Sequence, residues 1–186
     1  MEGAHLIAES SSINNVRDAG NIQIKGGTVN VKSGNNIIMT SDNAEVSHVS
    51  GSNAILNVSE GANLYVYEKY SRDHGTEFFD RFYQKGTLNI LDNATINLGG
   101  TLNSNVNNAA KFNVTSTSAK LNGNFNVNNN GVVDLGTNKL TVDGNVAFNE
   151  GSKLALVFTS KDKVGQIDAK NISINENNTT LDMSFN

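Results

Sequence analysis

The 186-residue chain contains no cysteine, no proline and no tryptophan. Without cysteine there is neither a disulfide framework nor a thiolate-ligated metal centre, a composition that suits a chain kept unfolded during export. Proline would remove a donor from any strand paired on both edges, so its absence fits an uninterrupted ladder. The net charge is −4 and no run of lysine or arginine occurs, which speaks against nucleic acid as a partner. No stretch approaches the ~20 apolar residues of a membrane-spanning helix, and no signal-peptide pattern opens the chain. Met1-Glu2-Gly3 runs straight into repeat-like sequence, and the pattern continues to Phe185; we read the chain as a fragment of a longer protein.

What is present is a short alternation of apolar and polar residues that recurs at a fixed distance. The pairs Phe112/Val114, Ala119/Leu121 and Phe125/Val127 return at a 21-residue displacement as Val133/Leu135, Leu140/Val142 and Val146/Phe148. Leu154/Leu156 opens a third round at the same displacement. Alternation with period two marks strands, and three strands restarted at constant period mark a parallel β-helix. Antiparallel sandwich strands also alternate, but they do not repeat their pairs at one displacement. The fold class is therefore all-β, a parallel β-helix of about 21 residues per coil. At ~4.8 Å between stacked strands, about eight or nine coils would make a rod of ~40 Å. The displacement predicts three inward stacks: Val114 with Leu135 and Leu156, Leu121 with Val142, and Val127 with Phe148.

Asparagine is the commonest filler, outnumbering the 17 glycines. Tight corners require positive φ, which asparagine and glycine adopt at least steric cost. Stacked asparagines can also hydrogen-bond from coil to coil. Weaker alternation spans 1–26 (Ile22, Ile24), and a clear one spans 27–66 (Val29/Val31, Leu56/Val58, Leu64/Val66) without a regular spacing. After Phe158 the polar stretch Thr159–Lys163 intervenes, and Ile172/Ile174 and Leu181/Met183 leave the 21-residue displacement. The organisation expected is a β-helix over 1–158 with one excursion at 67–85, followed by capping strands over 159–186.

The excursion differs in composition from everything around it. Seven of the 12 aromatic residues lie between Tyr65 and Tyr83. Phe78 with Phe82, and Phe79 with Tyr83, are spaced i,i+4, which predicts a short amphipathic helix. Arg72, Asp73, His74, Glu77, Asp80 and Arg81 form the candidate interaction surface, because charged and aromatic residues mixed in this way typify recognition patches. Two readings stay open: the phenylalanines fold back onto the rod as a self-packed loop, or the excursion contacts a partner. In either case Tyr67 and Lys85 should lie close together, since the coil pattern stops and restarts around them.

Catalytic, metal and cofactor chemistry find little footing. Asp134, Asp143 and Asp168 sit singly near strand ends, where a lone carboxylate usually bonds its own backbone or solvent. His5, His48 and His74 have no ligand spacing. No Gly-Gly-x-Gly-x-Asp repeat suggests calcium rolls and no Gly-x-Ser-x-Gly suggests a nucleophile elbow. No catalytic, cofactor-binding or metal residue is assigned.

The coil style is shared with a known family. Gly86-Thr87-Leu88-Asn89, its echo Gly100-Thr101-Leu102-Asn103, and the run from Lys120 to Phe158 resemble passenger domains of Gram-negative type V autotransporters. Lys163 to Phe185 is similar to the autochaperone region that ends such passengers. The resemblance implies a right-handed β-helix, exported through the outer-membrane barrel of its parent chain. It implies a surface-displayed or secreted virulence factor that is not an enzyme and contributes to adhesion, with a host or neighbouring-cell surface protein or glycan as partner. Two alternatives are the arm of an oligomerising toxin of the vacuolating-cytotoxin type and a fragment of a polysaccharide-acting β-helix enzyme.

Overall fold

The computed structural model describes residues 6–8, 23–24, 27–32, 34–40, 47–70 and 82–185. They form a parallel β-helix with three faces. The first face stacks Leu6–Ala8, Gly27–Val31, Ala54–Val58, Thr95–Leu98, Lys111–Val114, Val132–Asp134, Lys153–Ser160 and Thr180–Phe185. The second and third faces share two long strands, Lys139–Phe148 and Gln166–Ile174, each of which turns the corner between them. Below these, the second face holds Gly34–Thr40, Ala62–Tyr70, Thr101–Asn103 and Ala119–Leu121. The third holds Gln23–Ile24, Ser47–Ser50, Thr87–Leu91, Asn105–Asn108 and Phe125–Val127.

Two of the predicted stacks are present: Leu121 lies opposite Val142, and Val127 opposite Phe148. On the first face Phe112, Val133 and Leu154 are consecutive partners, and the register runs on to Asn113, Asp134 and Ala155, the residues just before the predicted stack of Val114, Leu135 and Leu156. The 21-residue displacement holds only in this part of the rod. Along the whole first face Leu6, Val29, Leu56, Ile96, Phe112, Val133, Leu154 and Leu181 succeed one another in register. Their outward neighbours Asn30, Asn57, Asn97 and Asn113 follow at intervals of 27, 40 and 16 residues. The longest of these intervals contains the excursion. Eight rungs span about 34 Å at the usual strand spacing, a little less than the rod expected, because most coils outside the regular stretch are longer.

Among the described residues, inward positions from Val29 to Phe148 are apolar and buried, with one exception. Phe112 and Phe125 meet across the interior with ring centroids 4.7 Å apart. The exception is Asn108, which stands between Ile90 and Val127 and is fully buried. Its Nδ2 donates to the Val132 carbonyl and its Oδ1 accepts from the Ala110 amide, both at 3.1 Å, so its desolvation is offset.

Outward asparagines form ladders, as the sequence predicts. Asn57 Nδ2 donates to Asn30 Oδ1 at 2.6 Å, Asn97 to Asn57 at 2.8 Å and Asn113 to Asn97 at 2.9 Å. A second ladder runs from Asn126 to Asn107 to Asn89 at 3.0 and 2.9 Å, and Asn122 bonds Asn103 at 2.8 Å. The first ladder stops at Asp134, the partner above Asn113, which carries no amide hydrogen to donate and instead accepts from the Gly136 amide. Corner asparagines adopt positive φ as expected, 62° at Asn93, 65° at Asn130 and 55° at Asn178.

The corner between the second and third faces imposes a harder demand. Ser104, Gly123 and Gly144 stack there so closely that a methyl group at 144 would run into the Gly123 carbonyl oxygen, and one at 123 into that of Ser104. Ser104 is buried at this corner and donates its hydroxyl hydrogen to the Asn105 carbonyl at 2.7 Å.

One expectation changes. Phe82–Lys85 is a strand, not the end of a helix: it pairs antiparallel with Ala62–Tyr70, matching Tyr67 to Lys85 and Tyr70 to Phe82. The extended edge of Ala62–Tyr70 offers backbone partners that a single helical turn cannot supply. The same pairing shows the expected closeness of Tyr67 and Lys85. Further on, Ser160 and Lys163 close an antiparallel hairpin, after which 166–174 and 180–185 extend all three faces in parallel register. The inward side chains of this last coil are largely exposed.

Two substitutions test this packing. Phe112→Ala should lower the unfolding free energy in urea by about 3–5 kcal/mol, the usual loss for a buried phenylalanine. Gly144→Ala, which adds only a methyl group, should still cost about 1–3 kcal/mol through overpacking against the coil below.

Candidate functional site

At the base of the excursion 67–70 and 82–85 pair and continue the second face beyond the buried Val66, with Met39 and Thr40 pairing with Tyr67 and Glu68 along the other edge. Gly86 returns the chain to the rod by donating its amide to the Val66 carbonyl at 2.8 Å. The ribbon thus grows from a rung that is hydrogen-bonded above and below: Leu64 and Tyr65 pair with Leu102 and Asn103 on one side, and with Asn36 and Ile37 on the other. Arg72, Asp73, His74, Glu77, Asp80 and Arg81 lie outside the described residues, as do Phe78 and Phe79.

The strand-end carboxylates are held by structural partners. Asp134 Oδ1 accepts from the Gly136 amide at 2.9 Å. Asp143 pairs with Lys170 at 2.6 Å and Asp168 with Lys139 at 3.1 Å. A third pair joins Lys153 and Asp182 at 2.6 Å. All three ion pairs tie the 166–185 coil to the coil beneath it, beside a last asparagine bond from Asn171 to Asn145 at 2.9 Å. The hydrogen bond from Lys170, and then its charge, hold the Asp143 carboxyl below the usual carboxylate range; desolvation opposes this and Lys85 adds a further lowering charge.

Among the described residues the other ionisable groups form no cluster. His48 is half-buried in the third face, in register between Gln23 and Asn89, while His5 and His74 lie outside the described residues. Among the described residues no three histidine, aspartate or glutamate side chains converge on one point. A shallow notch at the corner between the third and first faces is lined by Asn129, Glu150, Gly151 and Asn178, with Asn178 bonded to Glu150 at 3.4 Å. It brings one carboxylate and no second ionisable group, too little for acid–base work.

Sequence reasoning did not anticipate the ion pairs. Lys139 and Asp168 lie 29 residues apart, as do Lys153 and Asp182, a spacing that the 21-residue displacement does not suggest. Comparison with protein-family models, with curated proteins and with solved structures finds no match.

The Asp143 pair has a pH signature. A depressed carboxylate stabilises the fold above its unfolded pKa, about 3.9, and that contribution is lost as pH falls through the lower folded value. Asp143→Asn should therefore be less stable than the parent chain at neutral pH. Its deficit should shrink as pH drops below about 4 and vanish at the acid end, read by thermal denaturation at stepped pH. A deficit that persists unchanged through that window would show that the carboxyl contributes by something other than its charge.

Proposed function

We propose that the chain is a segment of a surface-displayed or secreted passenger of the type V autotransporter kind, a non-enzymatic rod that contributes to adhesion or host interaction. The rod's part is to carry the 71–81 segment, with a protein or glycan of a host or neighbouring cell as the partner. The observation that carries this reading is the pairing of 67–70 with 82–85. It is anchored on a rung paired on both sides, and the ladder of the third face resumes at Thr87 as though nothing had intervened. An insertion at a corner costs a rod little, because loop-closure entropy rises slowly with length. Arg72, Asp73, His74, Glu77, Asp80 and Arg81 supply the charge that the surrounding asparagine and serine residues lack. Export through an outer-membrane barrel belongs to the same reading and is supported by the coil style of 86–158 and by a chain free of cysteine.

Replacing 71–81 by a short glycine-serine turn tests the proposal. The circular-dichroism spectrum and unfolding midpoint should stay within error of the parent chain, while binding to cell surfaces or to a glycan array should fall at least about tenfold, as loss of a recognition hot spot does. Binding that survives the deletion would move the interaction to the rod itself. Loss of the fold would place the aromatic residues in the core.

A further inference from the structure

Charge is distributed unevenly over the three faces. Between Thr87 and Phe148 the first-face strands carry Lys111 and Asp134, and the second-face strands carry Lys120, Lys139 and Asp143. The third-face strands of the same stretch are Thr87–Leu91, Asn105–Asn108, Phe125–Val127 and the 145–148 part of Lys139–Phe148. They contain no lysine, arginine, aspartate or glutamate. Asp92 and Glu150 stand beyond the strand ends, at the corner towards the first face. Amides fill most of the outward positions instead. Asn105 and Asn124 follow Thr87 in one column, and Asn89, Asn107 and Asn126 lead to Ala147 in the next.

These amides are held in place but not used up. An asparagine side chain offers two hydrogens and two lone pairs. Asn107 gives one hydrogen to Asn89 and accepts one from Asn126, which leaves it one donor and one acceptor. Asn105 and Asn124 accept the backbone amides of Asn124 and Asn145 at Oδ1 and keep their own side-chain hydrogens. A donor beside an acceptor therefore recurs about every 4.8 Å along the rod and about every 6.7 Å across it.

We propose that this asparagine plate is a binding surface for an uncharged polysaccharide. Neighbouring hydroxyls on a sugar ring set a donor beside an acceptor, the pattern that each amide presents. Charge selects against other polymers: an anionic or cationic chain laid on these strands would lose hydration and meet no opposite charge. Size selects against a protein. Four rungs of four or five residues make a plate of about 300 Å², well short of the roughly 800 Å² that each partner of a standard protein interface covers. A linear chain of sugars needs only a strip, and it gains affinity by engaging successive rungs at once. The plate is separate from 71–81, and the inference stands whether or not that segment binds a partner.

Native affinity electrophoresis of the full 186-residue chain tests it. The gels contain dextran, a galactomannan or a soluble β-glucan, with polygalacturonate as the anionic comparison, and each mobility is read against a polymer-free gel. Retardation by at least one neutral polymer and none by polygalacturonate is expected. Ala147 points outward from the plate and its side chain enters no ladder. Ala147→Lys and Ala147→Glu should each weaken the retardation about tenfold, because either places an unpaired charge against the sugar, with the circular-dichroism spectrum unchanged. Lys120→Glu, on the second face, and the replacement of 71–81 should both leave it as it was. No retardation by any of the three neutral polymers overturns the proposal. Opposite effects of the two Ala147 variants would reveal a charged partner and overturn it as well. Retardation that survives both Ala147 variants, or that is lost with 71–81 or with Lys120→Glu, overturns the assignment to the third face.

Discussion

Every feature of this molecule depends on vertical register: each residue sits on the corresponding residue of the coil below. Parallel in-register pairing fixes rung spacing at about 4.8 Å, so a side chain has its like for a neighbour and nowhere else to go. Inward, the rule produces continuous ranks such as Phe112, Val133 and Leu154. Outward, it turns single asparagines into ladders. At corners it presses backbone on backbone, as in Ser104, Gly123 and Gly144. A slip of one residue in any coil would turn the apolar rank outward and break all three at once.

The fold was legible in the sequence where coils share one length. From Phe112 to Leu154 the equal displacement let partners be matched directly, and the structure places them so. Elsewhere coil length varies between 16 and 40 residues, because corners absorb insertions that strands do not. Local alternation still marked strands there but could not say which strand lay under which. Asn108 escaped notice because its side chain looks misplaced until the corner carbonyl and amide that satisfy it are seen. The helix expected from the Phe78/Phe82 spacing failed at Phe82–Lys85 for a complementary reason. An i,i+4 pattern over one turn is weaker than a run of backbone pairing with an extended neighbour. Of the candidate surface, the sequence identified the interruption and its two ends, and the ribbon shows where it leaves the rod.

The outer surface changes character along the rod. Asparagine amides do the linking between coils up to Phe148, and their bonds carry no net charge and do not titrate. Lysine–aspartate pairs join in at the 166–185 coil, where exposed apolar side chains give less packing to hold the strands down. Exposed pairs are weak and respond to salt, so this coil is the part of the molecule most sensitive to its medium.

The asparagine ladders also have a sense of travel. In each one the later residue gives its amide hydrogen to the earlier, Asn57 to Asn30, Asn97 to Asn57, Asn107 to Asn89, Asn126 to Asn107. A ladder with a direction has unlike ends, a donor hydrogen left over at one and an acceptor oxygen at the other. A coil therefore joins at either end only with its amides turned the same way as those already there.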